Sequence, residues 1–250
     1  MTPHRAADDR GTSITELLIS MMLLAVVIAT TATMTISFQR TNSQNIARQD
    51  QIDVARSATE RITKTIRTAI KPSQLPGCTA TACDVDAFIS ASQTSMQFYA
   101  NLQNASNLVG PRRVTYSLAT TGPDAGKLVE KVQVPDSATP GAAGYVYCNA
   151  ELAGASAACK ARLTVRTLAK GVLSSGSQPL FRYFGTTGAE LPLTPGVPLT
   201  AAQIEEVLSV EILVKVQSPS PSRPKPTTYI QRVLLPNTQA VLRNDVGATP

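Results

Sequence analysis

Tryptophan is absent from the 250 residues, and five Phe and six Tyr make up the whole aromatic complement. A platform that stacks successive bases of single-stranded nucleic acid is therefore short of material. Histidine is almost absent too: the only one is His4, seven residues ahead of Gly11. A chain cut at Gly11 would hold none, which excludes histidine acid–base chemistry and histidine-ligated metal. There is no G-x-S-x-G, no Walker loop, no H-E-x-x-H and no dinucleotide fingerprint. The acidic pairs Glu205 with Glu206 and Asp84 with Asp86 read as solvated surface, so neither an enzyme nor a cofactor is expected. Charge is sparse, 16% of residues against 43% hydrophobic, a balance that folds rather than one that stays disordered. The net charge of +6 admits an acidic partner such as nucleic acid or anionic lipid.

Charge is missing altogether from Leu17 to Gln39, LLISMMLLAVVIATTATMTISFQ, which also lacks Gly and Pro. These 23 residues, at about 1.5 Å each as helix, can cross a hydrocarbon core about 30 Å thick. A secretory signal peptide is the nearest rival, but its apolar core runs to about 7–15 residues and ends in a small-x-small site. Thr30 with Ala32 is a weak version of that site, and a retained single span is expected.

Ahead of the run stands a short polar leader, MTPHRAADDR, then Gly11, then TSITELLISMMLL, with Glu16 the sole charge between Arg10 and Arg40. This pattern resembles the type IV pilin superfamily, whose members carry a leader cut after glycine by a prepilin peptidase and a glutamate fifth from the new amino terminus. With Thr12 as first residue, Glu16 is fifth. The resemblance implies cleavage between Gly11 and Thr12, N-methylation of Thr12, and a role for Glu16 in assembly. In the family that glutamate meets the free amine of an adjacent subunit as helices pack. Two departures stand out: Thr12 occupies a position where the family most often has Phe, and the first helix lacks the proline often found there. A carboxylate inside a membrane costs about 2.5–3.5 kcal/mol and less at the interface, which by itself marks Glu16 as a functional candidate; the plain alternative is that it reaches the interface. Positive-inside counting is nearly balanced, with Arg5 and Arg10 before the span and Arg40, Arg48 and Arg56 after it. Orientation therefore rests on the resemblance, which puts the leader in the cytoplasm and the body outside, in a protein that joins a cell-surface or periplasmic filament.

The helical pattern continues past the span. Ile52, Ala55, Thr59, Ile62, Ile66 and Ala69 recur at three- and four-residue steps, with Arg56, Glu60, Arg61, Lys64 and Arg67 on the other sides. Pro72 is the expected stop, giving one helix over 12–71, about 90 Å if wholly helical, with its span at about 14–38. The threonines of ATTATMT, 29–35, are its soft spot, since branching at Cβ lowers helix propensity. From 72 to 250 the pattern is that of strands: Ser95–Ala100, Arg113–Ala119, Lys127–Val134, Leu163–Leu168, Leu180–Phe184, Val207–Val216 and Thr228–Leu235. TTGPDAG and the proline-rich QSPSPSRPKPT read as hairpin connections. The expected fold is α+β, a long N-terminal helix, its first half transmembrane, packed on an antiparallel β-sheet head, after a leader of residues 1–11.

Within the head the order VTYSL, turn, KLVEK, then LAKGVLSSGSQPLFRYFGTTG and VLSVEILVKV is similar to minor pilins and J-type minor pseudopilins. In an extracytoplasmic head the four cysteines are expected as two local disulfides, Cys78 with Cys83 and Cys148 with Cys159. A four-thiolate zinc site and free thiols are the alternatives. The leading functional expectation is a non-enzymatic minor subunit of a type IV pilus or type II secretion-like filament that initiates or caps assembly. Its partners would be the prepilin peptidase, other pilin or pseudopilin subunits and the inner membrane. A DNA-binding or adhesive tip subunit is the second reading, for which Arg112, Arg113, Lys160 and Arg162 are scattered candidates. A singly anchored extracytoplasmic binding protein outside any filament is the third.

Overall fold

The computed structural model describes residues 13–75, 77–78, 81–104, 109–218 and 224–235. Among these residues one long helix, α1 (Ile14–Ile66), is followed by nine strands, two short α-helices and two single-turn 3-10 helices. The fold is α+β, a long apolar N-terminal helix and an antiparallel β head. The chain divides into two compact units at Ile46/Ala47.

In the first unit every described residue, Ser13 to Ile46, is exposed. It contains the one helical stretch among the described residues that is long and apolar enough to cross a membrane, with a mean hydropathy of 2.3 in its best window and none of that window buried. The threonine cluster does not interrupt it. Thr30 and Thr31 donate to the Val27 carbonyl, Thr33 to Thr30 and Thr35 to Thr31, at 2.8–2.9 Å. Each hydroxyl is thereby satisfied inside the helix, which is what an apolar surrounding demands.

The second unit holds the remainder of α1 and the head. Five strands form the first sheet in the order β1 (Phe88–Ala91), β2 (Ser95–Ala100), β3 (Arg112–Leu118), β4 (Leu128–Gln133) and β5 (Leu163–Ala169). Between β4 and β5 lies a long connection with the short helix α2 (Ala157–Ala161). The chain then passes to a second sheet made of β6 (Val172–Leu173), β7 (Phe181–Phe184), β8 (Ser209–Val216) and β9 (Thr227–Leu234), with α3 (Ala201–Glu205) ahead of β8. β8 is central, paired with β9 on one side and with β7 and β6 on the other, all antiparallel. The crossing from β5 to β6 requires glycine: Gly171 has φ +70° and accepts from the Gln217 N–H at 2.9 Å, and a Cβ there would run into the Gln217 carbonyl.

Alternation sets the inner faces. Met96, Phe98 and Ala100 of β2, Val114, Tyr116 and Leu118 of β3, and Val210, Ile212 and Val214 of β8 are buried in one core with Ala55, Ala58, Ile62 and Ile66 of α1. Ile62 and Ile66, both fully buried, contribute about 1.5–3 kcal/mol each. The buried stripe of α1 runs Ala47, Gln51, Ala55, Ala58, Ile62 and Ile66, so Ile52, expected on that face, is 40% exposed. The small side chains of Ala55 and Ala58 bring the helix close to the strands, and Gln51 takes the inward place because its amide is used. In the orientation that satisfies both ends, its nitrogen donates to Thr227 Oγ1 and the Lys225 carbonyl and its oxygen accepts from the Ser218 N–H, at 2.9–3.1 Å. α1 also ends five residues before the expected Lys71. Ile70 and Asn101 donate across to the Tyr99 and Thr68 carbonyls, and Ala69 bridges Ala100, so the chain joins the end of β2 before Pro72 is reached.

Burial pushes the phenols of Tyr116 and Tyr183 up; for Tyr116 the Glu130 carboxylate adds to it. Both rings are fully buried. A folded-state pKa above the unfolded value of about 10 means that stability is intact below that pH and is lost as pH rises through the folded pKa. Two such groups give a loss of about 3 kcal/mol per pH unit above pH about 10. Denaturant titrations at pH 9, 10 and 11 followed by near-ultraviolet circular dichroism check this, and a stability flat over that range would contradict it.

Candidate functional site

The residues singled out by sequence are not gathered in one cleft. Gly11 and Thr12 lie outside the described residues. Glu16 stands in the first turn of α1, exposed, where a carboxylate also complements the helix dipole. Its N–H donates to the Ser13 carbonyl at 2.9 Å, and its own carbonyl accepts from Ser20 Oγ at 2.6 Å. Among the described residues its carboxylate has no ion-pair partner.

The cysteines form two local disulfides, Cys78–Cys83 and Cys148–Cys159, with Cα–Cα distances of 5.9 and 6.0 Å. The second staples the β4–β5 connection, which covers part of the outer face of the first sheet. Tyr147 donates to the Pro111 carbonyl at 2.5 Å, and the Arg113 guanidinium lies 4.8 Å over the Tyr147 ring. Lys131 pairs with Glu151 at 2.5 Å. α2 begins at a Ser156 N-cap, whose Oγ accepts from the Cys159 N–H at 3.2 Å. Three of the four basic residues considered for DNA contact are engaged in this region. Arg113 also donates to Gln133, Lys160 to the Ala153 carbonyl, and Arg162 to the Pro135 carbonyl beside Asp136.

The site that sequence reasoning missed is a buried polar clamp between α1 and the first sheet. Leu128, Glu130 and Val132 share the inner face of β4, so the period of two carries a carboxylate into the core. Glu130 is directly opposite Tyr116, whose hydroxyl donates to it at 2.7 Å. Arg61 of α1 completes a fork, Nε to Oε1 and Nη2 to Oε2, both at 3.0 Å. The Glu130 side chain is 3% exposed and that of Arg61 41%. The hydrogen bonds it donates to Glu130 hold the Arg61 guanidinium above its ordinary pKa, against the opposing effect of burial. Such a fork fixes one angular setting of the helix on the sheet, because two parallel bonds to a planar group specify direction as well as distance.

Glu205 lies at the end of α3 with Glu206 beside it, both exposed, and Asp86 is held by Lys71 at 3.2 Å. Among the described residues no three His, Cys, Asp or Glu side chains are grouped to hold a metal ion. What the described residues present is a long helix, apolar in its first part with one carboxylate near its start, and a head that holds two disulfides. The chain matches no family model and no curated protein.

Proposed function

We propose that this chain is a non-enzymatic minor pilin or pseudopilin, a subunit that initiates or caps a type IV pilus or a related secretion filament. In this reading it is held in the membrane by the apolar part of α1, with its head on the extracytoplasmic side, until it is drawn into the filament. The observation that carries the reading is the division of labour along α1. Its exposed apolar stretch has Glu16 as the only charge up to Arg40, while residues from Ala47 onward are built into an α+β head. A plain anchor needs no carboxylate in its first turn, and such a group is expensive to keep near hydrocarbon unless it has a use. The disulfides suit an oxidising compartment outside the cytoplasm.

The test is the natural amino terminus. Intact mass and terminal sequencing of membrane-extracted protein are expected to give a chain that begins at Thr12 and carries an N-methyl group. A terminus at Met1, or one near Thr33, would overturn the filament reading.

A further inference from the structure

Beside the clamp, between α1 and the edge strand β9, lies a groove of about 440 Å³, bordered on the helix by Glu60, Arg61, Thr63, Lys64 and Arg67 and on the strand by Gln231. Its charges do not cancel. Arg61 is taken by Glu130 and Glu60 by Arg56, at 3.0 and 2.7 Å. Lys64 and Arg67 are exposed and, among the described residues, neither has a carboxylate in ion-pair range. At the same margin the Thr63 hydroxyl is buried without a hydrogen-bond partner among the described residues.

β9 itself is paired along its whole length on one side only, from Thr227 with Val216 to Leu234 with Ser209. On its other side, among the described residues, no strand and no backbone hydrogen bond is present. An edge of this kind offers a row of N–H and C=O groups to an incoming chain. On the sheet face opposite Gln231, Ile230 is 57% and Leu234 64% exposed.

We propose that the edge of β9, unpaired among the described residues, is a docking site for an extended acidic segment of another protein, which adds as a further strand and sets two carboxylates against Lys64 and Arg67. The geometry defines the segment. Side chains two apart on a strand share a face at about 6.5–7 Å spacing, and residues three apart on a helix have Cβ atoms about 5–6 Å apart. Carboxylates at alternate positions therefore reach Lys64 and Arg67 together. The intervening side chains fall on the face of Ile230 and Leu234, where apolar cross-strand neighbours are favoured. Strand addition supplies affinity through the backbone, and the two cations select for acid. A nucleic acid strand fits less well, since neither Phe nor Trp lines the groove and Tyr229 is packed against the core. This inference does not depend on the filament reading, because it uses the head alone.

The test uses the full-length protein in detergent micelles and a fluorescein-labelled peptide of about eight residues, the length of β9. The peptide carries Glu at its third and fifth positions, Val at the second, fourth and sixth, and Thr elsewhere. Saturable binding is expected, together with slowed amide exchange in 227–234. The same peptide with Gln for Glu, and the variant Lys64→Gln/Arg67→Gln, should each bind about tenfold more weakly. Lys160→Gln/Lys170→Gln, which removes equal charge elsewhere, should leave binding unchanged. The reversed variant Lys64→Glu/Arg67→Glu should lose the acidic peptide and gain one with Lys in place of Glu. No binding at about 1 mM peptide, equal binding of the Gln peptide, or binding without protection of 227–234 would each overturn the proposal. So would octathymidylate binding as tightly as the acidic peptide, which would mark a general anion patch.

Discussion

Replacing Arg61 with Met is expected to destabilise the head by about 3 kcal/mol, the low end of the cost of breaking a buried ion pair. Met keeps most of the apolar stem, so the loss is that of the guanidinium. It leaves the Glu130 carboxylate, 3% exposed, with the Tyr116 hydroxyl as its one remaining hydrogen-bond donor among the described residues. The reverse change is expected to be milder. In Glu130→Leu the Arg61 side chain, already 41% exposed, can turn its charge to water, and the cost falls to about 1–2 kcal/mol for the Tyr116 hydroxyl left behind. Removing all three polar groups together, Arg61→Met/Glu130→Leu/Tyr116→Phe, should return stability to within about 1 kcal/mol of the parent, because a buried pair replaced by apolar groups of similar size is often neutral. Denaturant unfolding of the full-length protein in micelles, followed by tyrosine circular dichroism, gives all three values. If Glu130→Leu cost more than Arg61→Met, the account of which charge is stranded would be wrong.

The clamp also shows where sequence stops informing structure. The pattern KLVEKVQV places Glu130 in line with Leu128 and Val132, so its inward direction was legible from the period of two alone. Its partner was not, since Arg61 lies 69 residues away and reads as one more charge on the polar side of an amphipathic helix. Position 52 failed for a related reason. Hydrophobicity favours Ile52 over Gln51, yet the choice is made by the Thr227 hydroxyl and the Lys225 and Ser218 backbone groups that Gln51 satisfies. Strand positions were easier: β2 begins and ends where alternation and the flanking turn residues put it, and the other long strands shift by a residue or two. β1 and β6 were missed: β6 is two residues long, and β1, FISA, lacks the aromatic alternation that marks the equally short β7, FRYF. That the strands divide into two sheets was not legible either, because alternation reads the same in a strand of either sheet.

Glu16→Gln and Glu16→Ala are expected to abolish incorporation into the filament while leaving the head's fold and the anchor intact. Glu16 lies in the first unit, with no ion-pair partner among the described residues, so its removal should not disturb the core built around Ile62 and Ile66. Insertion should be unaffected or easier, since an uncharged residue enters hydrocarbon at lower cost, and cleavage after Gly11 should proceed. In the filament reading, what disappears is the pairing of Glu16 with the amine of a neighbouring subunit's Thr12. Packed helices would exclude water from that pair, so an unmatched amine is penalised and register is enforced. Gln keeps the size and a hydrogen-bonding group, and its failure would assign the effect to charge. The competing account pairs Glu16 with its own Thr12 amine, since residues four apart on a helix are neighbours. That arrangement would steady the end of the isolated helix and leave assembly nearly intact. Co-purification of each processed variant with the other filament subunits, at membrane levels matched to the parent, separates the two. Parent-level recovery of both variants would end the case for Glu16 as the residue that registers one subunit on the next.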